Sequence, residues 1–132
     1  MSKSNYLENE ILDHILGGGD YTRPATVYVG LHTSNPDEDD SGTEVSGGSY
    51  ARVSVTNNAT NWPAASGGAK SNGTAVTFPT ASASWGTVTH FGIYDAASAG
   101  NLLYYGALTA SKSIDSGDTA EFAIGEIDIT ED

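Results

Sequence analysis

From Pro24 onwards the sequence alternates between apolar and polar residues in short runs, and each run stops at a cluster of Gly, Asn, Asp or Pro. Successive side chains on a strand point to opposite faces, so period-two alternation over about four to eight residues signals a half-buried strand. Val27, Val29 and Leu31 alternate with Tyr28 and Gly30, while Ala51, Val53 and Val55 alternate with Arg52 and Ser54. Further runs cover 75–78, 88–94, 102–108, 119–124 and 126–129. Turn-forming combinations separate them: Asn35-Pro36, Gly47-Gly48, Gly67-Gly68, Asn72-Gly73, Gly100-Asn101 and Asp115–Asp118. About seven short strands with such turns predict a mainly β fold, an antiparallel β-sandwich. A jelly-roll-like arrangement is expected ahead of an immunoglobulin-like one, whose disulfide-bearing form needs cysteines that the chain lacks.

The segment ahead of Pro24 has a different period. Leu7, Ile11, Leu12, Ile15 and Leu16 make one apolar stripe at helical spacing, with Glu8, Glu10 and Asp13 on the other side. Asn5 is the expected N-cap, with Glu8 three residues on, and Gly17–Gly19 ends the helix with Gly17 in the left-handed position. One α-helix over 4–16 therefore leads strands over 24–132, and 1–132 is expected to form a single domain. A helix of three turns is marginal alone, so its stripe must dock on its own β domain or on a neighbouring subunit.

Leu, Ile, Val and Phe number 24 of 132 residues, against 61 Gly, Ala, Ser and Thr. A core that thin leaves part of the stability to neighbours, so self-association or attachment to a larger assembly is the expectation. Five Lys and Arg face 17 Asp and Glu, for a formal charge of −12. Nucleic acid and anionic membrane surfaces both require a basic footprint that this chain cannot supply, so neither is an expected partner. The first sixteen residues are too interrupted by Glu and Asp for a signal peptide, and no apolar run approaches ~18 residues.

Catalytic and metal-binding patterns are weak. Asp37, Asp39, Ser41 and Gly42 match the start of a calcium loop, but Gly48 stands where its bidentate Glu should be. The acidic run Asp37–Glu44 is therefore expected to be a solvated loop without metal, the alternative being a calcium site of Asp37, Asp39 and Glu44. His14, His32 and His90 fit no zinc or hydrolase motif, and His90 belongs to the alternation with Val88 as a packed or interface imidazole. Asp95 and Glu121 qualify as paired carboxylates by position alone. No enzymatic activity and no cofactor are expected. Tyr104 and Tyr105, neighbours in a strand, send their rings to opposite faces, so one is available to a partner. Trp62 and Trp85 are expected in the core or at a subunit interface, with glycan stacking as the alternative.

Two stretches resemble a known family. Asn5–Asn9 with Tyr21-Thr22 and Pro24–Leu31, and then Trp85–Asp95, Gly100–Leu108 and Ser116–Thr119, are similar to a family of small tailed-phage virion proteins. Its members often carry the label tail-fibre protein, and similar small β-rich proteins serve as capsid decoration, or cement, proteins. The resemblance implies a virion structural protein without catalytic residues. The expected role is decoration of the outer capsid surface, with the major capsid protein as partner and a homotrimer as assembly. The alternative is a tail-tip or tail-fibre-associated protein that adheres to the host surface. The sequence lacks the repeats, heptads and Gly-X-Y runs of a long shaft, which favours decoration. Its expected interface residues are Leu7, Ile11, Leu12, Ile15 and Leu16 on the helix, with Tyr104 and Tyr105.

Overall fold

The computed structural model describes residues 2–131. The element order is β1 (Ser2–Lys3), α1 (Asn5–Ile15), β2 (Thr26–His32), β3 (Val53–Thr56), β4 (Ala69–Ser71), β5 (Val76–Thr77), β6 (Gly86–Tyr94), β7 (Leu102–Ile114), β8 (Glu121–Phe122) and β9 (Asp128–Thr130). A five-stranded antiparallel sheet runs in the order β1-β7-β6-β2-β3, and two small sheets pair β4 with β9 and β5 with β8. The chain is thus mainly β with one N-terminal helix, as its alternation predicts. It is sandwich-like: one face of the large sheet packs on the short strands, where Phe91 of β6 meets Phe122 of β8 edge to face at 5.4 Å.

The core lies between these layers and gathers Val29, Leu31, Ile93, Val76, Phe78 and Ile127, all buried. Two indoles serve it. Trp85 is buried and donates Nε1 to the Gly48 carbonyl at 2.9 Å, while Trp62 is buried behind the loop that follows β3. A register shift rearranges the β6–β7 pairing. Between Val88 and His90 the partner strand runs from Lys112 back to Ala107, so Val88 and Phe91 both turn inward although their positions differ in parity. His90 consequently leaves the set it shares with Val88 in the alternation and pairs across with His32 on the opposite face. Strand β7 also continues six residues past the expected end at Leu108, through small polar residues that carry little apolar signal.

The helix begins one residue earlier than its composition suggests. Ser4, and not Asn5, is the N-cap: its Oγ accepts from the Leu7 N–H at 3.2 Å and donates to the Leu102 carbonyl, while Asn5 is already helical. Ser4 is buried, so the cap also fixes the helix to β7. Gly17 takes a positive φ of 120° just past the C-cap, as expected, and the Gly18 N–H returns to the Asp13 carbonyl at 3.3 Å. Ser4→Ala removes a buried cap and leaves Leu102 without that donor. It should cost about 1–2 kcal/mol of unfolding free energy in urea titration, whereas Asn5→Ala should be near neutral.

Candidate functional site

The large sheet has a second face, and there the even-numbered residues of β2 and β6 meet. Tyr28, Gly30 and His32 stand opposite Tyr94, Gly92 and His90. The central Gly30–Gly92 pair makes a floor without side chains. A Cβ on Gly30 would lie 2.8 Å from Glu44 Oε2, and one on Gly92 would lie 2.9 Å from Leu102 and 3.0 Å from the Tyr94 ring. Into that space folds Arg52. Its guanidinium sits 3.5 Å from the Tyr94 ring centroid and grips Glu44 at two points, each 2.8 Å. The remaining nitrogen, Nη1, donates to the Ala96 and Ala99 carbonyls at 2.8 and 2.9 Å, so one side chain ties Glu44, Tyr94 of β6 and the β6–β7 turn together. Glu44 also accepts from the Tyr50 hydroxyl at 2.6 Å, which in turn accepts from the Leu31 N–H at 2.9 Å.

Beside this clamp runs a second chain of hydrogen bonds. The Tyr94 hydroxyl donates its single proton to Asp40 Oδ1 at 2.7 Å, so the 2.8 Å contact with His32 Nε2 must be donated by the imidazole. His32 is wholly buried, and its Nδ1 is then an acceptor with no partner. Burial holds the His32 pKa below its ordinary 6.5, against the pull of Glu44 and Asp40. For Glu44, burial raises the pKa, but the hydrogen bonds from Arg52 and Tyr50 outweigh it and leave the carboxyl below its ordinary 4.5.

These contacts revise the expectation of a freely solvated acidic loop. Asp37 and Asp39 do face solvent, but Asp40 and Glu44 turn back into the polar layer and Pro36 is buried. Asp39 accepts from the Ser41 N–H at 3.1 Å, and Glu44 is committed to Arg52, so the carboxylates of the calcium alternative face different partners. Asp95 binds the Asn101 N–H at 2.7 Å inside its own turn, and Glu121 accepts from Thr77 at 2.8 Å, which separates that pair into two local roles. His14 accepts from the Tyr21 N–H at 3.2 Å, and His90 meets Thr89 at 2.7 Å.

The expected interface residues divide. Leu7 is buried, and Ile11 is half-buried against the core. Leu12, Ile15 and Leu16 stay 59, 69 and 71% exposed, an uncovered apolar end of α1. Tyr104, opposite Lys3 of β1, packs on the core with its hydroxyl 3.4 Å from Glu131, where burial and that carboxylate raise its pKa to about 12. Tyr105 stands on the polar face opposite Gly92 and is half-buried. Arg52, Asp40 and Tyr94 are the structural residues that sequence reasoning passed over; the signal was a lone Arg inside an apolar alternation.

A family model described as podophage GP4 fiber I protein gp80 matches residues 2–130. No curated protein matches the chain.

The polar layer makes stability depend on acid. His32 binds its proton less readily folded than unfolded, so its contribution is complete above pH 6.5 and is lost as the pH falls through its depressed folded value. Glu44 adds a second decline below 4.5. Urea titrations should therefore show stability falling as the pH drops below about 6.5. His32→Gln, which can still donate to Tyr94, should flatten that decline; an equal decline in the variant would assign it elsewhere. Arg52→Ala at neutral pH leaves Glu44 half-buried without its cation and should cost about 3 kcal/mol.

Proposed function

The chain belongs to the podophage GP4 fiber I protein gp80 family, and from that premise we propose that it is a subunit of a fibre-type appendage on a bacteriophage virion. The coarser statement is direct: it is a phage virion structural protein. The observation that carries the finer one is the reach of the family match, which takes in α1, the large sheet and both small sheets, so the family's description applies to the whole folded unit.

An exposed apolar stripe supports a means of attachment. Leu12, Ile15 and Leu16 are three large apolar side chains on neighbouring turns, left in water by a chain that has only 24 such residues to spend on its own core. Covering them against another subunit would stabilise the assembly by roughly 25 cal/mol per Å² of apolar area removed from water. Self-association through this end of α1 is part of the proposal.

Decoration of the outer capsid surface is the second reading. Its support is the formal charge of −12, which suits the outside of a particle better than the neighbourhood of packed DNA. Under that reading the copies would be homotrimers seated on the major capsid protein. Antibody labelling of intact particles in the electron microscope separates the two: label confined to the tail end supports the appendage, and label spread over the whole shell overturns it. A double substitution, Leu12→Ser with Ile15→Ser, should alter the unfolding free energy of the isolated chain by under about 0.5 kcal/mol. The same variant should lose self-association in analytical ultracentrifugation. Unaltered association, or an unfolded variant, would return the stripe to an ordinary packing role.

A further inference from the structure

A cavity of about 230 Å³ opens between α1, the start of β2 and the loop carrying Trp62. Aliphatic side chains of α1, β2, β6 and β9 form its floor, and Tyr21, Trp62 and Tyr104 line it. Its charge is unusual for this chain. Arg23 and Lys70 both line it and no carboxylate does, although acidic residues outnumber basic ones by 17 to five. The larger cavity, of about 400 Å³, has Glu121, Glu126 and Asp128 around its single Lys112.

Of the other three cations, Lys3 pairs with Glu131 at 2.5 Å, Arg52 pairs with Glu44 at 2.8 Å, and Lys112 lines the larger cavity. Among the described residues Arg23 makes no ion pair or hydrogen bond, and the Lys70 ammonium reaches only the Trp62 carbonyl, at 3.3 Å. The Tyr21 hydroxyl bonds to no described residue. Arg23, Lys70 and the Tyr21 hydroxyl thus bring spare donors to one cavity with aromatic surface beside them, and Glu131 stands at its edge, 3.4 Å from the Tyr104 hydroxyl. Two cations beside aromatic rings point to an anionic ligand with an apolar face.

We infer that this pocket binds an acidic saccharide, its carboxylate held between Arg23 and Lys70 and its C–H face set against Tyr21 and Tyr104. The chemistry of the donors selects that class. A uronic acid brings a carboxylate for the two cations and hydroxyl oxygens for the neighbouring donors, with an apolar ring face for the aromatics. An alkyl carboxylate offers no acceptor beyond its head group. An acidic peptide adds backbone N–H groups to a wall already crowded with donors. The inference stands on the pocket alone and does not require the fibre reading.

Calorimetric titration of the full chain with tri-galacturonate tests it, with maltotriose as the neutral control and penta-glutamate as the acidic non-sugar. The expected result is saturable binding of tri-galacturonate, at least about tenfold tighter than either control, and weakened by added salt. Arg23→Ala and Lys70→Met should each weaken it by about tenfold, and Lys112→Ala, in the other cavity, should leave it unchanged. Thermal melts establish that each variant is folded; if Lys70→Met is not, Arg23→Glu at an exposed position carries the test. Absence of saturation by about 10 mM tri-galacturonate overturns the inference. Equal affinity for penta-glutamate, or undiminished affinity in the Arg23 variants, does so as well.

Discussion

Everything on the second face of the large sheet depends on one ion pair, Arg52 with Glu44. A sheet has two faces, and this chain has apolar residues enough to bury one of them. The first is closed by Val29, Leu31, Phe91 and Ile93 against the short strands. The second is closed by a guanidinium that lies over Tyr94, pairs with Glu44 and caps the carbonyls of the β6–β7 turn. Such a layer gains from each donor and acceptor that is met, because a half-satisfied polar network costs more than an apolar one, and here His32 Nδ1 is the buried atom left over. The Gly30–Gly92 floor is what lets the guanidinium come close enough to meet them.

That dependence explains what the sequence disclosed and what it hid. Alternation located β2, β6 and the first half of β7, since each places apolar residues on the core side at every second position. It failed where the period is broken or the signal is short. The register shift between β6 and β7 leaves His90 on the face of His32 and Val88 on the other, and nothing in the run Val88–Tyr94 marks it. Strands of two or three residues, such as β1 and β4, offer no period to detect. Tertiary pairing decides them.

The acidic loop shows a related limit. Read along the chain, Asp37–Glu44 is a block of like charge, and blocks of like charge are ordinarily solvated. Its second half behaves differently because its partners lie outside the run: Glu44 meets Arg52, eight positions on, and Asp40 meets Tyr94, 54 positions on. The apolar stripe of α1 was legible as a stripe, but not which part of it the core would cover. Leu7 sinks beneath Ser4 and β7, while the last turn runs past the edge of the core and leaves Ile15 and Leu16 in water.

The two faces also divide the chain's few cations between structure and surface. Arg52 and Lys3 are consumed by Glu44 and Glu131, and each such pair fixes distant segments together. Arg23 and Lys70 take no carboxylate, although carboxylates are abundant and charge attraction alone would favour a pairing. Both line one aromatic-walled cavity, two cations grouped in a chain of strongly negative charge. Grouped cations on an acidic surface offset its repulsion of small anions at that place. On an acidic virion subunit, that makes the mouth beside α1 the part of the pocketed surface where the repulsion of an anionic ligand is offset.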